Sequence, residues 1–162
     1  MIPKQLREEL LDHVASAVTP REAAVEVMRA LQAFYGWLTD EAVDEAAEIL
    51  SLSPLQVEEL ATFYEMIYRR PVGKRVIHLC DSISCWSAGA ESMMAYLRKS
   101  LGIDEGGTTE NGIFTLVPCA CLGNCGEGPT MLIGETLYGS LTPERLDQIL
   151  EEEREGVRCL DN

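Results

Sequence analysis

Over residues 3–18 the apolar positions Leu6, Leu10, Leu11, Val14 and Val18 recur at helical spacing, leaving Lys4, Arg7, Glu8 and Asp12 for water. Thr19-Pro20-Arg21-Glu22 then reads as a capping box with proline at the first helical position, opening a helix toward Phe34 that Gly36 ends. Thr39 is placed to cap a third helix through Leu50, with Asp40 and Glu41 where the helix dipole favours negative charge. Ser53-Pro54-Leu55-Gln56 repeats the capping pattern and starts a fourth helix, expected to run through Phe63 and Tyr64, carry Arg69 and Arg70 in its last turn and stop at Pro71. Four helices with short connections predict an antiparallel bundle over 1–72.

From residue 73 the periodicity changes. Arg75 to Cys80 is a strand rich in branched residues; a helix follows over about 87–100, stopped by Gly102; 103–111 is a polar, glycine-bearing loop. Strands are expected at 113–117 and 130–133, with a short one at 137–141, before a last helix from Thr142-Pro143-Glu144. The order β-α-β-β-(β)-α over 73–162 predicts a small sheet carrying packed helices, so the fold class is α+β in two parts.

Charge narrows the function. With 27 acidic against 13 basic residues the formal charge is −14, which removes the basic footprint that nucleic acid or an anionic membrane surface rewards. No apolar run approaches the roughly 18 residues of a spanning helix. The opening MIPKQLREELLDH has neither a signal h-region nor a transit-peptide composition, so a bacterial cytoplasmic protein without direct membrane insertion is expected.

Six cysteines, at 80, 85, 119, 121, 125 and 159, carry the chemistry. In a chain read as cytoplasmic, grouped cysteines point to metal or redox work rather than disulfides. Cys80 and Cys85 enclose four residues, Cys121 and Cys125 three, and each pair lies at or just beyond a predicted strand end, where a loop aims side chains at one point. Such a set suits a cysteine-ligated iron–sulfur cluster or a structural zinc, and spacing alone leaves both open, with unligated core cysteines a third reading. A Rieske centre fails because His13 and His78 lie outside both loops. A Cys-x-x-Cys dithiol is absent, and His78, within a strand, is a weak base for a nucleophilic cysteine. The run Gly123-x-x-Gly126-x-Gly128 does not follow the dinucleotide fingerprint and reads as a loop around sulfur.

Longer matches go beyond spacing: Gly36-Trp37-Leu38, Ala61-Thr62-Phe63-Tyr64, Arg70-Pro71-Val72-Gly73, Cys85-Trp86, Thr108-Thr109-Glu110-Asn111-Gly112 with Phe114-Thr115-Leu116, Cys121-Leu122-Gly123-Asn124-Cys125 and Leu141-Thr142-Pro143. In these the chain resembles, over nearly everything after about residue 20, the NuoE subunit family of respiratory complex I, thioredoxin-like [2Fe-2S] ferredoxins. The 35 residues between Cys85 and Cys121 also look like that family's loop-to-loop interval. The resemblance implies a thioredoxin-like domain over 73–162 with one [2Fe-2S] cluster on Cys80, Cys85, Cys121 and Cys125. Asn111 stands where many members have Asp, and Gly128 where many have Ala; Cys119 lies two residues before Cys121, but the family pattern ending Leu-Gly-x-Cys favours Cys121.

The resemblance further implies an electron-transfer subunit of a bacterial NADH:quinone oxidoreductase, with FMN and NADH on a partner subunit, further iron–sulfur subunits beside it, and the complex peripheral to the inner membrane. NAD-linked hydrogenases and formate dehydrogenases use similar subunits, and a zinc-stapled interaction module is the reading from a different class. Among other features, Arg69, Arg70, Lys74 and Arg75 are either helix-end cations or a partner surface. Trp37, Phe63 and Tyr64 are expected in the core, Trp86 to shield the cysteines or simply to pack, Met93 and Met94 to fill the core, 151–155 to be a solvated helix end, and Cys159 to be a spare thiol.

Overall fold

The structure, a computed structural model, describes residues 1–160, with side chains through residue 157. Cys159 lies outside the described side chains. The chain packs as two compact units, Met1–Pro71 and the residues from Val72 onward.

The first unit holds α1 (Lys4–Ser16), α2 (Ala24–Tyr35), α3 (Asp40–Leu50) and α4 (Pro54–Phe63). Its core is the apolar stripe of each helix: Leu10, Val27, Met28, Leu31, Ala46, Leu50, Val57 and Leu60 are buried together. Thr39 caps α3 by accepting from the Ala42 N–H, and Ser53 with Gln56 forms the reciprocal capping box of α4 with Pro54 just inside.

Two helix boundaries differ from the expectation. Thr19 is not an N-cap: residues 19–23 form turns, Glu22 turns its carboxylate back to the Val18 N–H, and α2 begins only at Ala24, where the buried face starts. Helix α4 ends at Phe63, well short of Pro71. The segment after it is held by other partners: Gln32 accepts from the Tyr68 N–H and donates to the Met66 carbonyl, while Leu38 N–H donates to the Tyr68 carbonyl. These bonds satisfy backbone groups that a longer helix would have paired internally. Phe63 is accordingly 76% exposed rather than core, Tyr64 is at the surface and Trp37 is half-buried.

Arg69 is neither a helix-end cation nor a free surface charge. Its guanidinium donates to the Leu38 carbonyl, to Asp40 at 2.7 Å and to Glu58 at 2.7 Å, tying the 64–70 segment to the start of α3 and to α4. Arg69→Met is expected to lower the stability of this unit by about 2 kcal/mol, because the Leu38 carbonyl and two carboxylates lose one shared donor. Urea unfolding followed by far-UV circular dichroism reads the change.

The second unit is a four-stranded sheet in the order β2-β1-β3-β4, with β1 Arg75–Cys80, β2 Phe114–Cys119, β3 Met131–Ile133 and β4 Thr136–Tyr138. Strands β1 and β2 run parallel in the register Arg75↔Phe114 to Cys80↔Cys119; β1–β3 and β3–β4 are antiparallel. Strand β1 is therefore interior to the sheet, and five of its six residues are buried, as a strand covered on both faces requires. The sheet with α6 (Ala90–Leu101) and α7 (Pro143–Leu160) encloses Ile77, Leu79, Leu97, Phe114, Leu116, Met131 and Leu146, against which Met93 and Met94 pack.

A short helix, α5 (Ile83–Ser87), precedes α6, and Gly89 at φ 100° breaks the two apart. The sequence pattern placed one helix over about 87–100 and missed α5, whose five residues are too few to show a helical period. Nor is the acidic run 151–155 wholly solvated. Glu153 accepts from Arg75 at 2.6 Å and from the Tyr138 hydroxyl at 2.9 Å, joining α7 to β1 and β4, so Arg75 too is an internal tie. No helix among the described residues is long and apolar enough to cross a membrane.

Candidate metal centre

The ends of β1 and β2 and the loops beyond them bring the cysteines together. Cys80 closes β1, Cys85 lies within α5, Cys121 is in the loop after β2, and Cys125 opens a single 3-10 turn over Cys125–Glu127. Cys85 thus sits on helical backbone rather than in the open loop expected. The thiols fall into two pairs. Cys80 and Cys85, both buried, are hydrogen-bonded to each other. Cys121 and Cys125, both exposed, lie 3.3 Å apart, sulfur to sulfur. Cys125 also feels the charge of Cys80, so the two pairs are near enough to interact.

Polar groups converge on these sulfurs. Burial pushes the Cys80 thiol up, but the Ser82 N–H and hydroxyl, the Cys85 thiol and the Leu122 N–H outweigh it and bring Cys80 below the ordinary thiol range. Cys85 is raised by burial and then by its neighbour Cys80, against donation from the Thr130 N–H and hydroxyl. Cys125 is raised by its hydrogen bond to Cys121 and by the Cys121 charge, against the Ser84 hydroxyl. Gly123, at φ 81°, turns its N–H to the Cys121 sulfur at 3.4 Å. Gly128 lies close to the site, since a Cβ there would stand 3.5 Å from the Cys85 sulfur and 3.2 Å from the Ala88 Cβ.

Ser82 shows how the local sequence is used. It occupies the N-cap of α5, yet makes no side-chain capping bond there; its hydroxyl goes to Cys80 instead. The donors Ser82, Ser84, Thr130 and the Leu122 N–H carry no spacing motif, and only coordinates reveal them.

The two-plus-two arrangement tests the fit of a metal group. Two paired thiols on each side would suit a binuclear iron–sulfur centre, with two sulfurs available to each iron. Cys119 is the fifth cysteine of this region. It is buried at the end of β2, directly across from Cys80, in a small apolar cluster with Cys80, Cys85 and Ala90.

Fold and thiol set together define a class: a small α+β protein whose chemistry centres on cysteine at one end of a mixed sheet. Residues 8–154 match the family described as thioredoxin-like [2Fe-2S] ferredoxin, and the chain belongs to that family. It is 44% identical over 132 residues to the E subunit of NADH-quinone oxidoreductase from Escherichia coli (strain K12), covering 82% of this chain and 80% of that protein. The corresponding protein of Buchnera aphidicola subsp. Baizongia pistaciae is 37% identical over 147 residues, 91% of this chain and 86% of its own. Among solved structures, an NAD+-reducing [NiFe]-hydrogenase in the air-oxidised state contains a similar fold, with TM-score 0.68, 24% identity, and coverage of 81% of this chain and 23% of that one. At that identity the likeness is one of fold. The cofactor of the family is a [2Fe-2S] cluster.

Proposed function

We propose that this chain is the electron-transfer subunit of a bacterial NADH:quinone oxidoreductase, with one [2Fe-2S] cluster held by Cys80 and Cys85 on one side and Cys121 and Cys125 on the other. The reading is carried by two neighbouring thiol pairs in a chain 44% identical to the E subunit of such a complex. When bound, the cluster supplies storage of one electron, at a formal charge of about −2 oxidised and −3 reduced.

The chain's own residues hold and tune that group. The end of β1 and helix α5 fix the inner pair, while Leu122, Ala90 and Cys119 pack around it. Ser82, Ser84, Thr130 and the N–H groups of Leu122 and Gly123 aim partial positive charge at sulfur, which favours the more negative state. A net charge of −14 works the other way and favours a low potential.

The glycine run 123–128 forms a loop and one 3-10 turn carrying Cys125, in keeping with a loop around sulfur. In this reading NADH and FMN belong to a partner subunit, other iron–sulfur subunits adjoin, and the assembly lies on the cytoplasmic side, peripheral to the inner membrane.

Protein purified without oxygen tests the reading. It should carry about two iron and two sulfide per chain, absorb in the visible, and give an electron paramagnetic resonance signal after dithionite. Zinc with neither signal would overturn it. A finer measurement concerns Ser82. Removing its hydroxyl in Ser82→Ala takes about 1 kcal/mol from the reduced state, an expected fall in midpoint potential of about 40 mV in a spectroscopically monitored titration.

A further inference from the structure

The second unit carries a groove of about 410 Å³ next to Cys80. Its floor is apolar, with Leu79 and Met94, and Cys80 itself lines it. Around this floor stand Trp86, Asp81, Glu91 and Glu105, with Arg98 as the one cation. Arg98 is already committed: its guanidinium donates to Asp104 at 2.5 Å and lies 3.9 Å from Glu105. The groove therefore keeps a surplus of negative charge around an apolar floor. At its edge Trp86 is 56% exposed rather than buried in the core.

We propose that this groove docks a basic segment of a partner protein, seating an arginine or lysine side chain against Trp86. Each part of the cleft matches one part of such a side chain. The apolar floor takes the methylene stem, the indole face attracts the cation, and Asp81, Glu91 and Glu105 complete the charge pairing. An exposed tryptophan lining a concave surface is also of the residue type most enriched among interface anchors. The sign of the charge excludes nucleic acid and anionic lipid as occupants. Because Cys80 lines the groove, a seated cation would stand beside the inner thiol pair and offset the negative charge there. In naming the partner as the one that exchanges electrons at the thiol centre, the proposal rests on the functional reading above.

The test uses the full chain as purified anaerobically and a fluorescently labelled Gly-Arg-Gly-Arg-Gly peptide, followed by anisotropy at low salt. Wild type should bind it saturably, and Trp86→Ala and the double change Glu91→Gln/Glu105→Gln should each weaken binding by about fivefold to tenfold. Trp86→Phe should keep most of the affinity. A control, Glu151→Gln/Glu155→Gln, removes the same charge from exposed positions on α7 that do not line the groove, and should weaken binding clearly less than the groove pair does. Equal weakening by the control, no effect of Trp86→Ala, or equal binding of an uncharged Gly-Leu-Gly-Leu-Gly peptide would each overturn the proposal. Iron content and visible spectrum of the same samples report on the functional reading separately: full iron without peptide binding sinks the docking site alone, and peptide binding without iron sinks the electron-carrier reading alone.

Discussion

Cys121→Ser is expected to leave the purified protein without its visible absorption and with most of its iron lost, whereas Cys119→Ser keeps both. The two cysteines are two residues apart, yet the structure gives them different neighbours. The Cys121 sulfur is 3.3 Å from that of Cys125 and accepts from the Gly123 N–H, so it faces the outer pair at the open side of the site. Cys119 points from the end of β2 into the apolar cluster beside Cys80. Serine at 119 places a hydroxyl where a thiol was buried, and should lower stability by about 1 kcal/mol without removing a ligand. Serine at 121 replaces a soft donor by a hard, poorly ionised one in a sulfur set, and the binding free energy of the centre is lost with it. Iron analysis with absorption spectra of both variants separates these outcomes; retention of iron by Cys121→Ser with loss in Cys119→Ser would transfer the ligand role to Cys119.

The second large effect is expected at Gly73, where alanine should destabilise the sheet unit by about 3 kcal/mol. A Cβ on Gly73 would stand 2.7 Å from the Ile113 carbonyl oxygen, 2.8 Å from its carbon and 2.9 Å from the Phe114 carbonyl carbon. All three are backbone atoms at the start of the strand that β1 must pair with, so no side chain can swing aside. The Gly73 N–H also donates to the buried Thr115 hydroxyl at 2.6 Å, fixing the approach at the point where the parallel register begins. Gly36 offers the contrast. Its φ of 85° costs any other residue about 1 kcal/mol in strain, but a Cβ there meets nothing within 4 Å. Denaturant unfolding of Gly73→Ala and Gly36→Ala should therefore give a clearly larger loss for the first, and iron content should fall with it because β1 carries Cys80.

What could be read along the chain divides by the range of the interaction involved. The Ser53 box, the Thr39 cap and the stops at Gly36 and Gly102 are local chemistry and sit where the pattern placed them. The end of α4 depends on Gln32, more than thirty residues away, which pairs the backbone at 66 and 68; no window around Phe63 contains that information. Arg69 and Arg75 read as helix-end cations or a partner surface because their acceptors, Asp40, Glu58 and Glu153, are distant in sequence. Exposed Phe63 fails the hydrophobicity rule because helical spacing reports a face only while the helix continues, and this one stops there. At the centre, cysteine spacing and family resemblance singled out the four thiols. The split into a buried and an exposed pair, the hydroxyls of Ser82, Ser84 and Thr130, and the helical seat of Cys85 needed coordinates.

Strand β1 bears on the speed of electron exchange in the proposed role. Bonded to β2 along one edge and to β3 along the other, with the Cys80 N–H donating to the Thr130 carbonyl, it gives the Cys80 thiol a stiff mount. A scaffold whose dipoles are already in place has little to rearrange when charge arrives, so the structural cost of each transfer stays small. The outer thiols, on a loop at the surface, have more freedom to adjust, so whatever adjustment accompanies the gain or loss of an electron should fall mainly on the solvent side of the site.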